Sequence, residues 1–269
     1  SIAVSADGED WFLFNASPDL RQQINDNDIL HPKKDLRHSP IMGAVLTNAD
    51  VDHVAGLLNL RESQPLNLYA TGRVLEVLEA NNIFNVLNPE FVSRNAMSLE
   101  QTFELMKPGG VGSGIEITPF AVPGKVALWL EDESKGDNLG SVDEDTIALY
   151  VADKRSGKSF YYMPACADMT AELAGRIDGA DLIFFDGTLW VDDEMIRDGV
   201  GVKTGKRMGH MSLSGENGTL EAFSKLNIKR KIFIHINTTN PILFANSEES
   251  KTVQAAGWEV SYDGMQVAV

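Results

Sequence analysis

Between Thr47 and His53 the chain places Asn48, Asp50, Asp52 and His53 in one short polar loop. In an extended loop alternate side chains point the same way. Asn48, Asp50 and Asp52 therefore share a side, and His53 enters close to Asp52. Carboxylate and imidazole ligands at such spacing suit a divalent transition metal. The same residues also make a solvated turn in which Asp52 caps a helix and His53 is incidental, and the loop alone does not choose between the two. Further along, Asp186, His210 and His235 are the other candidates for chemistry. Asp186 closes an apolar run, His210 lies in a basic, glycine-containing stretch, and His235 ends a second apolar run. Taken alone, His235 reads more readily as a hydrogen-bonded structural histidine than as a ligand.

The elements that position these residues follow from apolar patterning. Ile41 to Leu46 is an apolar run with the length of a buried strand, and Val54, Leu57, Leu58 and Leu60 then recur at helical spacing. The candidate loop thus sits at the C-terminal end of a strand, where open α/β sheets place ligands. Upstream, Ser1–Ser5 and Trp11–Asn15 form a hairpin around Gly8. A helix over Leu20–Ile24 is expected to take its cap from Ser17 or Asp19. Leu30–Ser39 is polar and irregular, with His31 and His38 as exposed loop histidines.

Downstream, a strand (Leu66–Ala70) precedes a helix (Gly72–Asn82). Strands over Met97–Met106 and Ile115–Val122 flank a glycine-rich stretch, which lacks the G-K-[ST] ending of a phosphate loop. Leu130–Asp145 is acidic and reads as a surface loop or lid. Thr146–Ala152 and Ser159–Met163 are paired strands, Thr170–Ile177 a helix, and Asp181–Phe185 a buried strand leading to Asp186. Residues 200–215 form a basic loop. Its Lys203, Lys206 and Arg207 either face an acidic substrate or are solvated charge. Leu220–Leu226 is helical, Lys231–Ile234 a strand ending at His235, and the tail, Thr252–Val269, adds a helical turn and a final hairpin or edge strand.

Composition narrows the function classes. The 269 residues suit one large domain or two small ones. A formal net charge of −16 argues against nucleic acid and anionic membranes as partners. The single cysteine, Cys166, permits no disulfide within the chain, so a cytoplasmic location is the simple reading. Cys166 itself reads as a small buried hydrophobe in preference to a ligand or redox group. There is no apolar run of membrane-spanning length, and a homodimer is left open.

The loop Asn48-x-Asp50-x-Asp52-His53, followed by Ala55-Gly56-Leu57, resembles the H-x-H-x-D-H loop and G-L helix of the metallo-β-lactamase superfamily. The last two motif positions match and the first two do not. FNASPDLRQQI (14–24), YYMPACADM (161–169), FFDGTLWVDDEM (184–195), KTGKRMGHMSLSG (203–215) and HINTTNPIL (235–243) extend the resemblance to the branch of that superfamily that serves pyrroloquinoline quinone (PQQ) biosynthesis. The resemblance implies an α+β, four-layer αββα sandwich in a single domain over 1–269. It also implies a preceding first strand and a cysteine segment that this chain does not contain, so no cysteine zinc site is expected here.

For chemistry, the resemblance implies that the histidine-rich first metal set of the related hydrolases is lost. Asn48 and Asp50 replace two histidines, Lys125 or its neighbours a third, and Ala165 or Cys166 a bridging aspartate. The second set survives as Asp52, His53 and His235, with Asp50 as a fourth ligand or an orienting group. Two histidines and one carboxylate suit non-haem Fe(II), though Zn(II) or Cu(II) can occupy such donors. The activity implied is O2-dependent hydroxylation of the tyrosine ring of a Glu–Tyr precursor. Asp186 lies at or near this site, and His210 donates a proton or positions the phenol. The alternatives are a soluble carrier of PQQ or its precursor in transport to the periplasm, or a zinc metallo-hydrolase.

Overall fold

The computed structural model describes residues 1–35, 38–135 and 140–269. They divide into two compact units. The first comprises Ser1–Phe120, Val126–Asp145 and Ala152–Gly157, and the second Ala121–Lys125, Thr146–Val151 and Lys158–Val269.

In the first unit, five strands make one sheet in sequence order: β1 (Ile2–Val4), β2 (Trp11–Phe14), β3 (Ile41–Val45), β4 (Leu66–Thr71) and β5 (Val92–Met97). β1 and β2 are the expected antiparallel hairpin, and every later pair is parallel. Parallel neighbours need crossovers. These are supplied by α1 (Leu20–Asn25), by α2 (Val51–Val54) with a 3₁₀ extension over Ala55–Asn59, and by α3 (Gly72–Ala80). β3 is largely buried, as its unbroken apolar run requires. Two further strands, β6 (Phe103–Lys107) and β7 (Val111–Ala121), pair antiparallel. β6 is tied to β4 where Asn67 Nδ2 donates to the Met106 carbonyl (2.6 Å) and the Met106 N–H donates to the Tyr69 hydroxyl (3.0 Å).

The remaining strands are β8 (Ile147–Asp153), β9 (Ser159–Met163), β10 (Leu182–Asp186), β11 (Arg230–Ile234) and β12 (Trp258–Val260), and the sheet of the second unit includes the hydrogen-bonded order β12-β11-β10-β9. In the second unit β9, β10, β11 and β12 are parallel neighbours. The intervening helices are α4 (Ala171–Ile177), α5 (Glu194–Arg197), α6 (Gly205–Met208), α7 (Thr219–Phe223) and α8 (Glu248–Ala255). All five residues of β10 are buried, which is the reason this central strand carries no polar alternation. An aromatic cluster clamps β10 to its neighbours. Phe233 stacks on Trp258 at 3.9 Å, while Phe223 meets Phe185 edge-on at 4.7 Å.

Several expectations need correction. The single strand expected over Met97–Met106 is broken between β5 and β6. Glu100 there adopts a left-handed backbone (φ 61°) and its N–H donates to the Pro119 carbonyl. Asp52 does not cap the helix after β3. Asp50 occupies the N-cap position, Asp52 lies inside α2, and Asp50 makes no side-chain cap bond. Nor does Asp19 cap α1 through its side chain, and the Ser17 hydroxyl donates to Gln23 Oε1 instead. Residues 200–215 are not wholly a loop. They contain α6, whose first turn is capped by the Thr204 hydroxyl accepting from the Arg207 N–H, and whose end is closed by Gly209 at φ 89°. The lid expected over Leu130–Asp145 lies partly outside the described residues. At its C-terminal end Asp145 is buried and paired with Arg73 Nε at 3.1 Å. No helix among the described residues is long and apolar enough to cross a membrane.

Candidate metal centre

In the first unit the site begins at the C-terminal end of β3. Asn15, at the end of β2, is fully buried and holds a left-handed backbone (φ 62°). That conformation turns its amide onto the next strand's loop. Asn15 Nδ2 donates to Thr47 Oγ1 (2.8 Å), and the Thr47 N–H donates back to Asn15 Oδ1 (2.9 Å). Asn tolerates this backbone region better than other side chains. Asn15 therefore braces the loop, and Ser17 and Asp19 do not. One residue on, Asn48 is buried and its Oδ1 accepts from the Asp50 N–H at 3.0 Å, a local turn. Asp50 Oδ1 accepts from the Leu128 N–H (3.0 Å), so this carboxylate is held by the 128–130 turn.

Asp52 and His53 are direct neighbours in space as in sequence. Asp52 Oδ1 lies 3.2 Å from His53 Nδ1, with His53 buried and the Asp52 side chain about half exposed. A proton on Nδ1 shared with the carboxylate leaves the lone pair on Nε2, the tautomer that ligates a metal through Nε2. The backbone around His53 is fixed by the β2–α1 turn. The Ala16 N–H donates to the His53 carbonyl (2.7 Å) and the Gly56 N–H to the Ala16 carbonyl (2.9 Å). A Cβ at position 56 would lie 2.1 Å from the Ser17 carbonyl oxygen, so the close approach admits only glycine.

In the second unit the ends of β10 and β11 bring Asp186, Thr188, His210 and His235 together. One ligand atom each from Asp186, His210 and His235 lies within 4.8 Å of the others. His235 takes a left-handed backbone (φ 53°) directly after β11. Such a conformation in a non-glycine residue persists only where surroundings impose it. Here the following turn does so. Buried Asn240 donates from Nδ2 to the Gly187 carbonyl (2.9 Å), and the Gly187 N–H donates to the Ile234 carbonyl (2.7 Å). His210 follows α6, with its N–H donating to the Gly205 carbonyl.

Asp186 is completely buried. Its Oδ2 accepts from His210 Nδ1 (2.6 Å) and the Cys166 N–H (3.1 Å), and its Oδ1 from the Thr188 N–H (3.0 Å) and hydroxyl (2.6 Å). A carboxylate has about four acceptor positions, and all are taken by protein donors. Asp186 is thereby built as a support for its neighbours, not as a ligand itself. Burial opposes its ionised form, but the facing imidazoles of His210 and His235 outweigh it and hold the carboxyl well below the usual range. The two imidazoles stack at 5.1 Å.

Cys166 is the buried small residue expected. Burial pushes its thiol up to about 12, and Sγ donates to the Asp168 carbonyl (3.2 Å). Of the basic residues, Lys206 is exposed on α6, and Lys203 and Arg207 are half-buried. Sequence reasoning missed Thr188 and left the brace open among Asn15, Ser17 and Asp19. Asn15 was one of several residues at a strand end, and only its contact with Thr47 distinguishes it. Thr188 reads as a turn residue after Asp-Gly, and nothing local reveals that its hydroxyl meets residues 47 positions away.

Comparison with known proteins fits this geometry. The model of the beta-lactamase superfamily domain matches residues 10–236. Coenzyme PQQ synthesis protein B from Xanthomonas oryzae pv. oryzae is 54% identical over 269 residues, covering 100% of this chain and 87% of that protein. The protein of the same name from Bradyrhizobium diazoefficiens is 51% identical with the same coverage. Among solved structures, Zn(2+)-bound PqqB from Methylobacterium extorquens superimposes with a TM-score of 0.92 at 48% identity, covering 99% of this chain and 86% of that one. The mixed α/β architecture of two sheets with flanking helices is accordingly the metallo-β-lactamase fold. The donor chemistry also fits a metal. Carboxylates lie beside imidazoles in both units, and the imidazoles carry the carboxylate or hydroxyl partners typical of metal-binding histidines. The chain belongs to the coenzyme PQQ synthesis protein B family of the beta-lactamase superfamily.

Proposed function

We propose that the protein acts in PQQ biosynthesis as an Fe(II)- and O2-dependent hydroxylase of the tyrosine ring of a Glu–Tyr precursor, in which one oxygen atom of O2 replaces a ring hydrogen as hydroxyl and the other leaves as water with two electrons from an external reductant. Asp52, His53 and His235 would hold the metal. The observation that carries the pathway is 54% identity, over the whole chain, to a coenzyme PQQ synthesis protein B. The chemistry rests on the donor set. Two imidazoles and one carboxylate leave coordination positions open and suit a non-haem Fe(II) site. When bound, Fe(II) supplies the activation of O2.

The chain's own residues do the rest. Asp50, anchored on the Leu128 N–H, is a further oxygen donor or orients the loop. His210 has Nδ1 committed to Asp186, so it exchanges a proton with the phenol at Nε2. Lys203, Lys206 and Arg207 offer the cations that a carboxyl-rich peptide requires. Zinc in a relative favours a second reading, a zinc hydrolase, since iron and zinc accept the same donors.

The test is anaerobic loading with Fe(II), followed by O2 uptake and mass analysis with a Glu–Tyr dipeptide and ascorbate as the two-electron reductant. The expected result is a peptide heavier by one oxygen atom, absent with Zn(II) and absent in Asp52→Ala. Ester hydrolysis with Zn(II) and no O2 uptake with Fe(II) would establish the hydrolase. Peptide binding that survives metal removal, with no turnover, would establish a carrier.

A further inference from the structure

Asp186 reaches the two histidines of the second unit by different routes. It contacts His210 Nδ1 directly at 2.6 Å, but His235 Nδ1 stands 3.9 Å from the nearer oxygen, beyond hydrogen-bond range. The space between is filled by one hydroxyl. Thr188 Oγ1 is 2.6 Å from Asp186 Oδ1 and 2.8 Å from His235 Nδ1. A hydroxyl has a single proton. Three acceptors compete for it: the ionised Asp186, the neutral His235 carbonyl at 3.0 Å, and any unprotonated Nδ1. The carboxylate is both closest and charged, and charge-assisted bonds are the stronger. With the proton directed to Asp186, Thr188 Oγ1 presents a lone pair to His235, which must then carry its own proton on Nδ1. His210 Nδ1 lies farther from the same hydroxyl, at 3.2 Å, and gives its proton to Asp186 instead.

We infer that Thr188 is a positioning residue for the metal centre: it relays the Asp186 carboxylate to His235, fixing the Nδ1–H tautomer and leaving Nε2 as the ligating nitrogen. The inference rests on the proposed ligand role of His235. It explains why the Asp-Gly-Thr sequence must end β10 beside the strained His235. The threonine is also anchored by its own N–H on Asp186 (3.0 Å), which keeps its hydroxyl beside that carboxylate.

The experiment measures Zn(II) and Co(II) affinity by competition with a chromophoric chelator, for the parent chain, Thr188→Val, Thr188→Ser and His235→Ala. Loss of a partner of this kind weakens metal binding by about 10–100-fold. Thr188→Val should show that loss and Thr188→Ser should bind within about 3-fold of the parent, on the same principle. Thr188→Val binding as tightly as the parent overturns the relay, as does equal weakening of the valine and serine variants. His235→Ala binding as tightly as the parent overturns the ligand role itself, which separates the two failures. Long-range ¹H–¹⁵N correlation on the parent chain gives a readout needing no variant. A proton on His235 Nδ1 is expected, and a proton on Nε2 refutes the relay.

Discussion

Asn15→Ala isolates the brace that holds the loop bearing Asp50, Asp52 and His53. The side chain exchanges two hydrogen bonds with Thr47, at 2.8 and 2.9 Å, and all the groups involved are buried. Truncation leaves the Thr47 N–H buried without its acceptor, which costs about 1–3 kcal/mol. It also forces alanine into the left-handed region at φ 62°, adding roughly 1 kcal/mol. The sum is about 2–4 kcal/mol, large against the net stability of a domain. Asn15→Gly removes the backbone strain but not the orphaned donor, so it should recover about 1 kcal/mol of the loss. Asn15→Asp keeps acceptors for both the Thr47 N–H and hydroxyl and should stay close to the parent. Denaturant unfolding gives the free energies, and amide hydrogen exchange at Thr47 reports the local opening. The order expected is Asp closest to parent, then Gly, then Ala. Asn15→Ala unfolding within about 0.5 kcal/mol of the parent, the range of a neutral surface change, would refute the brace.

Two further outcomes follow from groups away from the metal loop. Cys166 is buried, with its thiol pushed up to about 12, so a thiol reagent at pH 8 should leave the native chain unmodified and label one thiol after denaturation; rapid stoichiometric labelling of the native chain would contradict its burial. Lys107 bridges Asp7 (3.0 Å) and Asp10 (2.5 Å) across the β1–β2 turn, and Lys107→Met should cost about 1 kcal/mol, less at high salt. Burial pushes Asp7 up, but the N–H groups of Asp10 and Glu9 and the Lys107 ammonium together hold it well below the usual carboxylate range. A depressed carboxyl contributes stability above its unfolded pKa, about 4, and loses it as pH falls below that value. The Lys107→Met variant should therefore show a shallower loss of stability on acidification than the parent, and identical acid slopes would contradict the clamp.

The two sheets were legible wherever a strand is buried on both faces. β3, β10 and β11 each hold a short, mostly buried apolar run, and their bounds agree with the expected strands to within a residue. Legibility failed where a backbone choice depends on distant partners. The break after Met97 needs Glu100 at positive φ, supported by Pro119 on another strand. α6 is four residues long and rests on Thr204, Gly209 and a bond to Asp192, none of which gives a periodic signal. The cap after β3 was placed two residues late, because Asp50 and Asp52 are equivalent by residue type and differ only in which backbone leaves the extended region first.

The candidate site divides along the same line, and the division has a physical cause. Asp52 and His53 are adjacent in the chain, so their 3.2 Å contact is local and motif spacing could announce it. Asp186 and His210 are separated by 24 positions, and Thr188 and His235 by 47. Each could be named as a strand-end candidate, but strand ends also carry caps and turns. Their pairing exists only because β10 and β11 are parallel neighbours, with Asp186 opposite Ile234 in register. A one-residue slip of that register would turn every side chain of β11 to the other face, carrying His235 away from Thr188. The fully buried β10 and the stacking of Phe233 on Trp258 oppose the slip. The aromatic core of the second unit thus fixes the register on which the Asp186–Thr188–His235 hydrogen-bond chain depends.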